Sequence, residues 1–157
     1  MTFRNAELAD LHEMQTLYVE AIESICCEDY DDAQRKEWAA TAQNKQRWLD
    51  VLESQFVLLA IIDQKIAGFA TLKDGEYLDF FYVHKDFQKR GIAKKLLQKM
   101  EQKAIELKSD VIWSDISITA KPFFEKNDFL VIAKQSHTRN DVILINFRMR
   151  KQLMQDY

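Results

Sequence analysis

The chain of 157 residues contains one proline, three glycines, two cysteines and three histidines. Without Pro/Gly-rich linkers, repeats or low-complexity stretches, it is expected to form one domain over residues 1–157. The longest apolar run, Phe56–Ile62, is far shorter than the ~20 residues that a membrane-spanning helix needs. The N-terminus lacks the apolar core of a signal peptide. These absences predict a cytoplasmic protein that does not contact membranes.

The few cysteines and histidines also argue against a metal site. Cys26 and Cys27 are adjacent, and adjacent cysteines rarely meet disulfide geometry. We interpret them as the end of an amphipathic helix, with one thiol buried and one exposed. The three histidines are scattered far apart, so the Cys/His spacing of a structural metal site does not occur. We expect no metal.

The charge is uneven along the chain. The net charge of −3 argues against a nucleic-acid binder. Residues 1–55 carry 5 basic and 12 acidic side chains, whereas residues 88–108 carry seven basic and two acidic ones. An acidic part beside a basic helix would suit two different ligands, although two solvated helix faces would give the same pattern.

Hydrophobic periodicity predicts a mixed α/β fold of about six or seven strands and about four helices. The predicted strands are 3–5, 56–62, 66–72, 77–83, 111–118, 129–136 and 142–149. The predicted helices are 8–26, 33–53 (one helix or two), 91–108 and 122–127, with Asp31 or Asp32 as a cap. Gly68 lies inside a strand, which indicates the close approach of another backbone or a ligand.

One loop has the composition of a phosphate site. The segment Gln88-Lys89-Arg90-Gly91-Ile92-Ala93 has the form Q/R-x-x-G-x-G/A and opens a long helix after a strand and a loop. Free N–H groups at a helix start, the positive end of the helix dipole and the missing Cβ of Gly91 suit a phosphate. Lys89 and Arg90 add positive charge at its rim.

The order of motifs resembles the GNAT N-acetyltransferases. The loop follows the strand 78–83, and Ala120-Lys121-Pro122-Phe123-Phe124-Glu125-Lys126-Asn127-Asp128-Phe129 resembles the family's A-x-x-F-Y-x-x-x-G-F segment. The resemblance covers residues 56–149, the acetyl-CoA-binding part, and accommodates 1–55 as a first strand and the helices that cover the acceptor. It implies a twisted mixed sheet splayed between the strands 77–83 and 111–118, with acetyl-CoA in the V.

The resemblance also implies which residues bind acetyl-CoA, the expected co-substrate. The pyrophosphate would rest on the backbone amides of Gln88 through Ala93, and the pantetheine arm would pair with Phe81, Tyr82 and Val83. Phe124 stands where many relatives carry the tyrosine that protonates the departing thiolate. A thiolate with a pKa near ~8.5 can leave without help; Tyr82, Ser117, Ser114 or a water are the alternative acids. Exposed strand edges in such folds often pair, so a homodimer is possible.

The amine acceptor needs a group that accepts its proton. In the family this base often lies on the strand that corresponds to 77–83, where alternation places Tyr77, Asp79, Phe81 and Val83 on one face. Asp79 is the expected base and Tyr77 the second candidate, because partial burial would make the carboxylate a better proton acceptor. The alternative is that Asp79 pairs with a neighbouring donor and only holds the strand.

The acceptor site is predicted at Tyr30, Gln34 and Trp38. Their spacing of four places them on one helical face beside the acidic stretch 28–32. Carboxylates there would attract a cationic amine and the aromatic rings would stack on it. In the alternative interpretation Trp38 packs in the core and the acids are solvated caps. Small amines, aminoglycosides, amino acids and protein termini all remain open as acceptors.

The sequence therefore predicts an acetyl-CoA-dependent N-acetyltransferase that works by direct attack of an amine. A non-catalytic acyl-CoA sensor of the same fold is the main alternative. A dinucleotide-binding unit, with Asp115 on the ribose, is disfavoured because only one glycine of G-x-G-x-x-G is present. A purely structural protein would leave the Gln88–Ala93 loop without a purpose.

Overall fold

A computed structural model describes residues 1–25 and 27–153. In these residues the strands are β1 (Thr2–Asn5), β2 (Phe56–Ile62), β3 (Lys65–Lys73), β4 (Tyr77–Val83), β5 (Val111–Ser117), β6 (Leu130–Arg139) and β7 (Val142–Gln152). The seven strands form one sheet in the order β1-β2-β3-β4-β5-β7-β6. The helices are α1 (Leu11–Ile25), α2 (Asp32–Ala39), α3 (Lys45–Ser54), α4 (Ile92–Glu106) and α5 (Lys121–Lys126). The predicted mixed α/β fold is confirmed.

The stretch predicted as one helix or two divides into α2 and α3. Asp31 caps α2: its carboxylate accepts from the Gln34 amide and the Gln34 side chain accepts from the Asp31 amide, both at 2.8 Å. At the start of α3, the side-chain oxygen of Asn44 accepts from the Arg47 amide at 3.2 Å. These side chains satisfy amide donors that a helix start leaves unpaired. Of the two cysteines, Cys27 is exposed, and Cys26 lies outside the described residues.

The sheet carries a core on each face. On one face α1 and α3 cover β2, β3 and β4, with Tyr18, Trp48 and Phe69 among the buried residues. On the other face α4 and α5 pack through Leu96 and Phe124. Each large apolar side chain buried in this way contributes about 1.5–3 kcal/mol. Of the described helices, none is long and apolar enough to cross a membrane.

Gly68 of β3 shows how closely α4 approaches the sheet. A Cβ at this position would lie 3.0 Å from the carbonyl oxygen of Tyr82 and 3.1 Å from a methyl group of Leu96. The predicted close approach of another backbone is confirmed. The missing side chain lets α4 settle against β3 and β4.

The strands β4 and β5 are parallel but paired only at Tyr77–Trp113 and Leu78–Ser114. The Ser114 hydroxyl donates to the Leu78 carbonyl at 2.7 Å and closes the narrow end. Beyond this pair the ladder stops, so the two strands enclose a V-shaped gap that is open towards the C-terminal end of β4.

A β-bulge in β4 changes which side chains face each core. Ala70 pairs with Phe81 and Leu72 pairs with Leu78, so β4 has one extra residue, and the Phe80 amide donates to the Thr71 hydroxyl at 3.0 Å. Two neighbours therefore point to the same side of the sheet.

The prediction that Tyr77, Asp79, Phe81 and Val83 share one face is wrong. Phe81 and Val83 pack on the α4 side, whereas Tyr77 and Asp79 line a cleft on the opposite side. Simple alternation fails here because the extra residue shifts the phase of the strand.

Candidate functional site

The loop before α4 presents unpaired amides to solvent. Lys89 and Gly91 have left-handed backbone conformations, with φ values of 62° and 77°. Among the residues that the structure describes, no side chain caps the start of α4, and none comes within 4 Å of where a Cβ at Gly91 would lie. Alternating backbone conformations at the positive end of a helix dipole form a concave anion site. The loop therefore has the shape and polarity to hold a phosphate group.

Gln88 fixes this loop to the end of β4. Its side-chain amide donates to the carbonyls of Val83 at 3.0 Å and His84 at 3.3 Å. Arg90 lies over the ring of Phe87, 5.2 Å from its centroid. The anion site and the V-shaped gap are thus held at a fixed spacing.

The β4 edge of the gap offers further amides. The His84 amide donates to the Ala67 carbonyl of β3 at 2.8 Å, and successive amides of a strand point to opposite edges. The amides of Phe81 and Val83 therefore point away from β3 and into the gap. The ring of Tyr82 packs against Tyr18, with centroids 4.9 Å apart.

Phe124 lies in the core and is 2% exposed. Its ring contacts Phe81 and Phe129, with centroid distances of 5.3 and 5.0 Å. Of the hydroxyls that could replace a tyrosine here, that of Ser114 is bonded to Leu78. The Ser117 oxygen accepts from the Ala120 amide at 3.1 Å, and Ser117 lines the cleft.

A cleft of about 940 Å³ lies at the β4–β5 gap, on the side of the sheet that carries α1, α2 and α3. Seven of the residues singled out from the sequence line it: Tyr30, Trp38, Tyr77, Asp79, Tyr82, Asp115 and Ser117. Residues of β6 and β7 form the far wall. Strands on both sides of the gap and all three covering helices thus meet at one cavity.

Tyr30, Gln34 and Trp38 do not share a helical face, because Tyr30 precedes α2. The Tyr30 hydroxyl accepts from the Ile118 amide at 2.9 Å and donates to the Ile145 carbonyl at 2.7 Å. Its ring meets Trp38 at 5.2 Å between centroids.

Gln34 is not among the lining residues. Its side chain caps α2 and donates to the Ile143 carbonyl at 2.9 Å. It therefore attaches α2 to β7, and the acceptor role predicted for it has no support in the geometry.

Asp79 is held by a three-point contact. Arg47 donates to both of its carboxylate oxygens at 2.7 Å, and Gln55 donates to Oδ2 at 2.7 Å. The Asp79 side chain is 5% exposed and that of Arg47 is 40% exposed. The hydrogen bond to Asp79 raises the pKa of Arg47. Since a carboxylate has about four acceptor sites, one site remains, on Oδ1.

Asp115 of β5 is a second carboxylate in the cleft, and its acceptor sites are all used. Oδ1 accepts from Gln135 at 3.0 Å and from Arg148 at 3.1 Å. Oδ2 accepts from Tyr77 and Arg148, both at 3.4 Å. Burial, followed by the negative charge of Asp115, raises the pKa of Tyr77. Tyr77 therefore holds its proton more tightly than an ordinary tyrosine.

The sequence reasoning missed Arg47 and the role of Asp115 in the cleft. Arg47 is 32 residues from Asp79 along the chain, and no local pattern signals such a pair. Asp115 was considered only for a ribose. The alternation of charged and apolar residues in β5 could have placed Asp115 on the cleft face. Among the described residues, no group of three His, Cys, Asp or Glu side chains could hold a metal ion.

Comparisons with known proteins agree with this geometry. Residues 26–153 match the family model described as acetyltransferase (GNAT) domain. The N-acetyltransferase YafP of Escherichia coli K12 is 29% identical over 147 residues, which cover 94% of this chain and 93% of YafP.

Solved structures share the fold. A GCN5-related N-acetyltransferase from Rhodopseudomonas palustris superposes with a TM-score of 0.93 at 27% identity, covering 97% of this chain and 95% of the other. PaiA N-acetyltransferase from Thermoplasma acidophilum, solved with coenzyme A, gives a TM-score of 0.77 at 19% identity, covering 97% and 99%. With the family model matching residues 26–153, the chain belongs to the GNAT acetyltransferase family.

Proposed function

We propose that the protein is a cytoplasmic, acetyl-CoA-dependent N-acetyltransferase that acts on an amine bound in the cleft. One observation carries the proposal: the β4–β5 gap has an exposed, amide-rich loop at its mouth and opens into the cleft behind it. A cofactor on one side and an acceptor on the other would meet at the unpaired edge of β4. The fold shared with PaiA, which was solved with coenzyme A, supports the same placement.

In this proposal the loop binds the pyrophosphate of acetyl-CoA. The backbone amides from Gln88 to Ala93 and the dipole of α4 stabilise the negative charge, and Lys89 and Arg90 add positive charge. The amide-bearing pantetheine arm extends β4 as an added strand along Phe81, Tyr82 and Val83. Phe124 supports β4 from the α4 side of the sheet through its contact with Phe81.

The reaction is direct attack of the neutral amine on the thioester carbonyl. The C–N bond forms, the C–S bond breaks, and the amine loses one proton. The Val83 amide polarises the carbonyl oxygen as charge develops. The coenzyme A thiolate, with a pKa near ~8.5, leaves without a dedicated acid.

Asp79 is the proposed proton acceptor. Its Oδ1 keeps one acceptor site, whereas the oxygens of Asp115 have none to spare. Tyr77 is the weaker candidate, because the causes that raise its pKa stabilise the protonated phenol. Arg47 holds the Asp79 carboxylate at the cleft wall.

A homodimer through β6 is also proposed. This strand is an edge of the sheet, and Leu130 and Ile132 on it are 72% and 53% exposed. Unpaired strand edges with apolar residues favour pairing with another strand. Sedimentation of the wild type and of a Leu130→Lys, Ile132→Lys variant tests this: the wild type should be dimeric and the variant monomeric.

A second candidate function is a sensor that binds acetyl-CoA without transferring the acetyl group. Phe124 favours it, because this side chain has no proton to donate to the departing thiolate. The two functions are separated by measuring thiol release from acetyl-CoA across a panel of amines and peptides, with an acceptor-free control. The proposed enzyme releases coenzyme A only when an acceptor is present. Tight binding of acetyl-CoA with no release for any acceptor would favour the sensor.

A further inference from the structure

Two arginines on the cleft wall point to the chemical class of the acceptor. We propose that Arg47 and Arg139 bind a carboxylate of the acceptor, so that the acceptor is a zwitterionic amine of the amino-acid class. This inference rests on the proposed transfer to an amine and adds what else the amine must carry.

Arg47 presents unused donors to the cleft. Two of its five N–H groups bind Asp79, and the other three have no hydrogen-bond partner among the described residues. Its guanidinium lies over the ring of Phe80, 4.9 Å from the centroid. Both side chains line the cleft, but Arg47 is 40% exposed and Asp79 only 5%, so the guanidinium offers the larger surface beside the free acceptor site on Asp79 Oδ1. A planar fork fixed in this way is suited to bind a second carboxylate.

Arg139 supplies a second guanidinium from the opposite wall. It is the last residue of β6 and lines the same cleft, and its side chain makes no ion pair or hydrogen bond within the described part of the chain. The Tyr18 hydroxyl, which also faces the cleft, lies within the electrostatic reach of both Arg139 and Arg47. The two positive groups therefore act on one region of the cavity.

The charges around the cleft favour a zwitterion over a polycation. The lining carboxylates are Asp79, Asp115 and Glu37, and the lining guanidinium groups are Arg47 and Arg139. Arg148 is not a lining residue, but its ion pair neutralises Asp115, so it is counted here as well. The sum is zero when histidine is counted as neutral. Within the described ranges, the one side-chain donor to Glu37 is the uncharged Asn140. A polyamine or aminoglycoside would find no net attraction here, whereas one ammonium and one carboxylate find a partner each.

The test compares acceptors that differ only in the carboxylate. Thiol release is measured with L-amino acids, with their carboxamides, and with the corresponding amines that lack the group. The wild type should acetylate the acids with kcat/KM at least about tenfold above that for the carboxamides, because a charged hydrogen-bonded contact is lost in the amide. Equal or better turnover of the carboxamides would overturn the proposal.

Variants of the two arginines test whether these residues bind the carboxylate of the acceptor. Arg139→Gln should raise KM for the amino acid about tenfold and leave KM for the carboxamide and for acetyl-CoA unchanged. Arg47→Lys, which keeps the charge but loses the fork, should raise the same KM. Arg150→Gln is the matched control, because Arg150 is an exposed arginine of β7 outside the cleft. A change of KM that is equal for acid and carboxamide would also overturn the proposal.

A binding measurement separates this inference from the proposed function. Calorimetry with N-acetyl amino acids and their amides needs no turnover. If no amine is acetylated but N-acetyl amino acids bind and lose affinity in Arg139→Gln, the carboxylate site stands and the catalytic function fails. If amines are acetylated without any preference for the acids, the function stands and the carboxylate site fails. Absence of both acetylation and binding overturns the two together.

Discussion

The sheet consists of two parts that are buried differently. The first part, β1 to β4, has helices on both faces, and β3 is buried from Ile66 to Leu72. The second part, β5 to β7, has α4 and α5 on one face, whereas on the cleft face α2 reaches it at β7. In this part β6 is exposed at every position except Gln135. The cleft lies where the helical cover of one face ends. Polar side chains such as Asp115 and Arg148 can occupy that face because solvent reaches it.

The two parts are also held together differently. In the covered part aromatic rings interlock: Trp48 contacts Phe80 at 4.7 Å and Tyr18 at 5.3 Å. In the second part, ion pairs such as Arg148–Asp115 and Lys151–Glu101 connect the strands to their neighbours. The first part is therefore suited to hold a rigid edge for the cofactor, and the second to vary with the acceptor.

The largest effect is expected from Gly91→Glu, at the loop that follows the last covered strand. The new side chain would place bulk and negative charge where the pyrophosphate is proposed to bind, so acetyl-CoA binding should fall below detection in calorimetry. Gly91→Asn is the control, because asparagine tolerates the left-handed backbone. Normal affinity in the Glu variant would remove the case for the phosphate loop.

The two carboxylates of the cleft give the next test, since one lies on each side of the gap. Asp79→Asn should lower kcat by at least about 100-fold with little change in acetyl-CoA affinity, because the amide cannot accept the proton. Asp115→Asn should lower kcat less than about tenfold, because its acceptor sites are already occupied. Initial rates of the wild type and both variants, measured against pH, show which carboxylate accepts the proton. A larger loss for Asp115→Asn would move the base to β5.

Alkaline pH should weaken the covered core through Tyr18. Burial raises the pKa of Tyr18 to about 12, whereas in the unfolded chain it is near ~10. The folded state keeps the phenol neutral, so its stabilising contribution is complete below pH ~10 and is lost as the pH rises towards ~12. The expected loss is about 3 kcal/mol in the free energy of unfolding.

Urea denaturation at several pH values measures this loss, with Tyr18→Phe as the reference that cannot ionise. The wild type should lose more stability than the variant between pH 10 and 12. Parallel curves for the two proteins would contradict the assignment to Tyr18.

The smallest effect is expected from Gly68→Ala, which tests how tightly the covered part is packed. A methyl group would press on the Tyr82 carbonyl and Leu96, and overpacking of this kind costs about 1–3 kcal/mol. Gly91→Ala places the same group in open space and should cost only about 1 kcal/mol, for its left-handed backbone. Equal losses in thermal unfolding would show that β3 and α4 adapt easily.

Local patterns predicted most of the fold. The apolar runs gave β2, β3 and β4, and the period of Ile92, Leu96 and Met100 gave α4, because burial on one face leaves a mark in the sequence. The loop at Gly91 was also predictable, since a helix start and a missing Cβ are local features. The identity of the family followed from the order of these motifs.

The cleft was harder to predict because its contacts join distant residues. Arg47 meets Asp79 through the packing of α3 on β4. The Tyr30 hydroxyl joins the residue just after β5, Ile118, to β7. Helical spacing alone placed Tyr30 and Gln34 on one face, but the cap at Asp31 starts the helix after Tyr30. Such contacts depend on tertiary structure, which periodicity does not encode.

The extra residue in β4 has a consequence for how the chain can change. Asp79 and Phe80 both lie on the cleft side of the sheet. Asp79 therefore places a carboxylate in the cleft, and Phe80 places a ring in the core under α1 and α3. The next residue, Phe81, packs in the core under α4. Deleting one of the two residues would restore strict alternation but would remove either the carboxylate that pairs with Arg47 or the ring that lies 4.7 Å from Trp48. An insertion or deletion within β4 is therefore expected to disturb the cleft or the α1–α3 core.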